Sequence, residues 1–498
     1  MNDEAHRPEQ RAADQQRSAA LAVKHAGLSP DDLWVRYFAL GGGTNPATVD
    51  DYVHGRGALP ALERDVLALA VNERLDELTS SYRATYSRPS SAARPRPGLF
   101  AALVKLLEGA QSAAPDRLPA VAEAAGRVLG VGLTLYLVDS GRRRLHAVAA
   151  GGRRRASLDV DRTVAGRAFR EVRALPGDDP ESRALWVPLV DGAERLGVLE
   201  VEVEHVDDLE DPELHSHCRW FSALLGHLVS LLSQYGDVID RGRVQVRRSV
   251  DAELIRSLLP PSTAGVDGLV VAAALEPRDD VTSDVFDYTL SESTATVIVL
   301  DAASQDGCAG PVAAAAVAAY RSARHAGFGL YDQAKLIDET ISGRFGGSAC
   351  ATAVLAEFDL VTGRLRYLNA GHPLPLVVCP GKAVDTLDGG RCRPLGLGLG
   401  LGEVRIGERA LAPEDWVVLY TDGVTTARDA AEVPFGEERL ADFLSREVTG
   451  AHPVPETVRR LVNAVRDHQH GALRDDVTVL LARRTDPART TPWNGGAR

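Results

Sequence analysis

Within residues 263–484, two apolar strand-like runs end on an aspartate and two others begin on one. ATVIVLD ends at Asp301, and WVVLY is followed by Thr421-Asp422-Gly423. DVFDYTL opens at Asp284, and VTVLLARR follows Asp475-Asp476. Short apolar runs bounded by polar turn residues read as strands. If the run from Asp284 and the run to Asp301 form an antiparallel hairpin, both carboxylates reach the same sheet edge. The same logic brings Asp422 to Asp475, so four carboxylates converge. Each is ionised near neutral pH at its ordinary pKa. Together they repel unless hard cations with a preference for oxygen, such as Mg²⁺ or Mn²⁺, lie between them. Taken singly, an Asp at a strand end is a turn or cap residue; the ordered set of four makes the case.

The chain is too long for one core: 498 residues predict two to four domains. Its 56 Lys and Arg against 69 Asp and Glu leave a net charge of −13, which disfavours duplex nucleic acid as a partner. The apolar stretch Pro311–Tyr320 has about half of the roughly 20 residues that a membrane span needs. The polar, mixed-charge start does not resemble a signal peptide. Five scattered cysteines without CxxC spacing suit a reducing compartment, and a cytoplasmic location is expected. Cysteine-based phosphate chemistry needs an Arg six residues after the thiolate to clamp the phosphate. Leu224, Ala314, Ala356, Asp385 and Gly398 stand there instead.

Pro- and Ser-rich SRPSSAARPRPG (87–98) reads as a linker and Pro260-Pro261 as a helix stop, which gives five segments. Residues 1–86 are expected to be helical, with Leu62, Val66 and Leu69 on one stripe and Val71, Leu75 and Leu78 on a neighbouring one. Residues 98–234 read as helix, strands, helix, and the order αα–ββ–…–ββ–α with PLVDG and LGVL in the last hairpin resembles a GAF sensor domain. That resemblance implies a small-molecule ligand. In the connector 235–262, Val246, Val250, Leu254 and Leu258 form one stripe. It either packs on the adjacent domain or pairs two chains as a coiled coil, so a homodimer stays open. The catalytic segment is 263–484, and 485–498 is a tail.

LLPP at Leu258–Pro261, D-x-F-D at Asp284–Asp287, NAGHP at 369–373, PLGLG at 394–398, YTDGV at 420–424, FGEERL at 435–440 and DDVT at 475–478 follow one another in order. This set resembles the PPM-type serine/threonine phosphatases, in the branch of stage II sporulation protein E. The resemblance implies a multidomain α+β chain ending in a β-sandwich flanked by helices. It implies a hydrolase acting on a phosphorylated regulatory protein, of the anti-sigma-factor antagonist type, with two Mn²⁺ or Mg²⁺ ions. It places the metal ligands on Asp284, Asp301, Asp422, Asp475 and the backbone carbonyl of Ala302. Asp476 could share the part of Asp475; Asp287 is expected in the wall and His372 as a structural histidine. Two departures stand out: Thr282-Ser283 replace glycines, and Ser304-Gln305-Asp306 replace a Gly-flanked loop. Asp306 would set a negative charge beside the incoming phosphate and slow the reaction. The alternatives are a pseudophosphatase or signalling scaffold, and a receptor centred on the GAF-like part.

Overall fold

The computed structural model describes residues 6–77, 98–111, 113–148, 155–179, 182–234, 249–278 and 282–486. They fall into two compact units, Met1–Arg96 and Pro97–Arg498. The segments 98–234 and 263–484, read from sequence as separate domains, therefore pack within one unit.

The first unit holds helices α1 (His6–Ala26), α2 (Pro30–Ala39), α3 (Pro46–Val53) and α4 (Ala61–Glu77). Ser29 and Asn45 cap α2 and α3 by accepting from the Asp32 and Thr48 amides, each with Pro at the next position. Of the two stripes expected on α4, Val71 and Leu75 are buried, whereas the Leu62/Val66/Leu69 stripe is not the inner one. Leu67, Val71 and Leu75 are fully buried around Tyr37, whereas Leu62 is 61% exposed and Leu69 36%. The apolar positions of α4 occupy more than one face, and tertiary packing selects Leu67/Val71/Leu75 as the inner one. Leu78 lies outside the described residues.

In the second unit, α5 (Leu99–Gln111) and α6 (Leu118–Val128) precede a six-stranded antiparallel sheet. Its strands are β1 (Gly132–Val138), β2 (Arg144–Val148), β3 (Leu158–Asp159), β4 (Leu175–Pro176), β5 (Ala184–Asp191) and β6 (Glu194–Glu202), in the order β3-β2-β1-β6-β5-β4. Alternation divides its faces. Leu135, Leu137, Leu199 and Val201 face α5, α6 and the long α8 (Pro212–Ser233). Tyr136, Val138 and Val198 face α7 (Val164–Glu171).

Helix α9 (Val250–Leu258) is capped by Ser249 and buries Ala252 and Ile255. Val250 (86% exposed) and Leu254 (39%) lie on its solvent side, so the stripe read from the sequence is not the packing face. The Ala252/Ile255 pair, three apart, is. Val246 lies outside the described residues.

Two further six-stranded sheets follow. One runs β15 (Arg391–Cys392), β12 (Arg364–Ala370), β11 (Ala349–Asp359), β10 (Thr294–Ser304), β9 (Asp284–Leu290), with β16 (Gly407–Ala410) also on β12. The other runs β14 (Asp385–Thr386), β13 (Leu376–Val378), β17 (Trp416–Tyr420), β18 (Val477–Arg484), β8 (Leu269–Glu276), β7 (Thr263–Val266). They stack face to face through Val297, Val299, Phe286, Val417, Leu419 and Leu480. The opposite parity, Ile298 and Leu300, packs under α10 (Ala309–His325) and α11 (Leu330–Phe345). Val418, Tyr420 and Val479 pack under α12 (Gly436–Thr449) and α13 (Val454–His468). Both faces of these strands are buried, which is why their sequences are continuously apolar rather than alternating. No helix among the described residues is long and apolar enough to cross a membrane.

Candidate active site

Parity places the carboxylates. Asp301 shares the parity of Val297 and Val299, so it faces the gap between the stacked sheets. Its cross-strand partner on β9 is Asp284, which shares parity with inward Phe286. Asp284 is buried, 2% exposed. The hairpin geometry expected from the sequence is therefore present, with the two aspartates directly opposite each other.

The second sheet meets this pair through Thr421. Its hydroxyl donates to Asp284 Oδ2 at 2.8 Å and accepts from the Thr478 amide at 3.0 Å. One threonine, next to Asp422, thus joins the strand ends β17 and β18 to β9. Asp422 and Asp475 are exposed. Asp475 Oδ1 accepts from the Asp476 amide at 2.9 Å.

Asp476 does different work from Asp475. It is buried, and its carboxylate accepts from the Arg278 amide (2.8 Å), the Ser283 amide (2.8 Å) and the Ser283 hydroxyl (3.2 Å). This clamp bears on Ala302. The Ala302 amide donates to the Ser283 carbonyl at 3.1 Å. In a continued antiparallel ladder, the Ser283 amide would return a bond to the Ala302 carbonyl. That amide is committed to Asp476 instead. Ser283, which replaces a glycine of the family pattern, supplies part of this clamp with its side chain.

The electrostatics show one shared field. Burial, then the charge of Asp301, raises Asp284 well above the ordinary carboxylate range. Burial, then Asp422 and after it Asp475 and Asp476, pushes Asp301 up to about 6. Asp475 is also raised, by burial and then Asp422, against the lowering effect of the Asp476 amide. Such a donor set, all oxygen and strongly negative, fits hard divalent cations. Among the described residues, no three His, Cys, Asp or Glu side chains stand as a closed metal shell. The aspartates share a field, but the convergence of all four at one point that the sequence predicts is not present among the described residues.

The remaining residues sort by parity and burial. Asp287, three residues beyond Asp284, lies on the other face and is 2% exposed. It pairs with Arg321 at 2.9 Å and Arg324 at 3.2 Å on α10, and so anchors the outer helix layer. His372 is buried with Nδ1 2.8 Å from the Thr352 hydroxyl, and burial lowers it to about 4. Asn369 closes the NAGH turn, accepting from the His372 amide at 2.8 Å and donating to its carbonyl at 3.0 Å. Sequence reasoning missed the bonding roles of Thr421, Ser283 and Arg278; for Thr421, a Thr close to the aspartates in both YTDG and DDVT was the available signal.

Asp306 lies beyond the end of β10, exposed, its amide bonded to Ser304 Oγ at 3.2 Å. It is not among the charges that most perturb Asp284, Asp301 or Asp475. In water, a unit charge 4 Å from another costs about 1 kcal/mol. Asp306→Gly is therefore expected to change kcat/KM on a phosphoserine protein by no more than about fivefold; a rise well beyond about tenfold would place the loop against the phosphate.

Residues 291–485 match the family model of stage II sporulation protein E. The C-terminal segment is similar to that family over these residues. The match spans Asp301, Asp422 and Asp475 but starts after Asp284. The chain is also similar to parts of other proteins. Protein IcfG of Synechocystis is 25% identical over 155 residues, which are 30% of this chain and 23% of that protein. This chain thus spans about a quarter of that relative's length. The RsbU and RsbW domains of Rv1364c from Mycobacterium tuberculosis match at 24% identity and TM-score 0.39, covering 45% of this chain and 63% of that one. The SiaA-PP2C domain of Pseudomonas aeruginosa matches at 24% identity and TM-score 0.41, covering 47% and 94%.

Proposed function

We propose that residues 263–484 form a metal-dependent serine/threonine protein phosphatase. The observation that carries this reading is the Asp284–Asp301 cross-strand pair, raised together by burial and by the surrounding aspartates. Asp284, Asp301, Asp422, Asp475 and the Ala302 carbonyl would hold two Mn²⁺ or Mg²⁺ ions. Bound there, such ions supply positive charge to phosphoryl oxygens and make water a nucleophile near neutral pH. Thr421 orients Asp284. Asp476 fixes Ser283 and, through Ser283, the edge that presents the Ala302 carbonyl. Arg278 acts electrostatically on Asp475.

The substrate is proposed to be a phosphoserine or phosphothreonine on a small regulatory protein, of the anti-sigma-factor antagonist type. Residues 98–234, an antiparallel sheet with helices on both faces, are proposed as a GAF-like sensor that controls the reaction. A second reading, a family member that keeps the fold without turnover, draws on the altered Ser304-Gln305-Asp306 loop. Release of phosphate from a phosphoserine protein by the full chain in Mn²⁺ separates the two. Turnover lost in Asp422→Ala supports the phosphatase; no turnover in the native chain with Mn²⁺ bound supports the second reading.

A further inference from the structure

The contact between the 98–234 segment and the catalytic segment is built from buried charge. Arg195 on β6 is 5% exposed, and Glu456 and Arg459 on α13 are each 4% exposed. Arg195 Nη1 stands 3.4 Å from Glu456 Oε2 and donates to the Arg170 carbonyl at 3.3 Å. Arg459 grips Glu456 with two bonds, 3.0 and 2.8 Å, and reaches across to Asp161 with two more, 3.2 and 2.7 Å. Two sensor residues, Asp161 and Arg195, thus hold the first turns of α13. Buried ion pairs contribute little net stability compared with apolar packing, but they fix one geometry, because a misplaced partner strands a charge.

Helix α13 leads toward the aspartate cluster. Val458, Leu461, Val462 and Val465 pack it under the second sheet. Near its end, Arg466 pairs with Glu276, the last residue of β8. Two residues past Glu276, the Arg278 amide is held by Asp476. Seven residues past the end of α13, the chain reaches Asp475-Asp476. The sensor meets this far end too: Arg143, in the turn between β1 and β2, feels the charges of Arg466 and Glu276.

We infer that Asp161, Arg195, Glu456 and Arg459 are positioning residues: by locking α13 to the sensor they set Asp475 and Asp476, and so the affinity of the site for its metal. This rests on the phosphatase reading of that site. The test uses the full chain, titrated with Mn²⁺ by calorimetry. Coupling through such networks is worth about 0.5–2 kcal/mol. Arg195→Met and Glu456→Gln are therefore expected to weaken Mn²⁺ binding about two- to thirtyfold. Turnover at saturating Mn²⁺ should change less than about twofold. Arg195→Lys, which keeps the charge, should restore most of the affinity, an outcome a merely structural role would not give. Asp161→Asn lies at a side chain 53% exposed and keeps the test open if a buried variant does not fold. Folded Asp161→Asn and Arg195→Met proteins with native Mn²⁺ affinity overturn the inference while leaving the metal site standing. A native chain that takes up no Mn²⁺ overturns the metal reading and this inference with it.

Discussion

Asp301→Asn is expected to abolish turnover and, at the same time, to raise the melting temperature of the metal-free protein. Loss of one charged ligand from a preorganised phosphoryl site costs at least about a hundred- to a thousandfold in rate. The stability gain follows from Asp301's surroundings: it is largely withdrawn from water and faces Asp422, Asp475 and Asp476. Its rise from 3.8 to about 6 corresponds to roughly 3 kcal/mol of unfavourable charge in the folded state at neutral pH. An isosteric amide removes that charge, so a gain of a few degrees in melting temperature is expected in EDTA. Functional sites commonly retain such strain at the expense of stability. A variant that melts below the native chain in EDTA would show that the aspartates are not mutually repulsive.

A large pH-dependent effect of Mn²⁺ is the second expected result. Asp301, Asp284 and Asp475 are all raised in the folded chain. Between the unfolded value of 3.8 and the folded value of about 6, the folded state binds more protons at Asp301 than the unfolded state does. The associated stability is therefore fully present below pH 3.8 and is lost as pH rises through 6. Mn²⁺ neutralises the same groups, but at low pH it must first displace their protons. The rise in melting temperature on adding Mn²⁺ is thus expected to be at least about twice as large at pH 7.5 as at pH 5. Equal shifts at the two pH values would mean that the ion binds elsewhere.

The site was legible in the sequence where backbone periodicity decides position. Asp284 opens a strand and Asp301 nearly closes the next, and a two-strand hairpin leaves them few options. Asp287, expected in the wall of the site, lies instead toward the outer helices, since three residues along a strand reverse the face. What pattern alone could not reveal was hydrogen bonding across sheets. Asp475 and Asp476 are adjacent and chemically identical, yet only Asp476 turns inward to the Arg278 and Ser283 amides. The helices were harder. On α4 and α9 more than one apolar stripe fits the helical period, and only the neighbours decide which is buried. The short strands β3 and β4 carry too few residues for a period to show. The Arg195–Glu456–Arg459–Asp161 network joins residues up to 298 apart in the chain, and no local pattern announces it.

The central claim is that four aspartates from two sheets form one two-ion centre. Diffraction from crystals of the full chain grown with Mn²⁺, recorded at the manganese absorption edge, tests it most directly. The expected result is two anomalous peaks between β9–β10 and β17–β18, within bonding distance of Asp284, Asp301, Asp422, Asp475 and the Ala302 carbonyl. Peaks only at surface carboxylates, with Asp284 and Asp422 bonded to no ion, would contradict it.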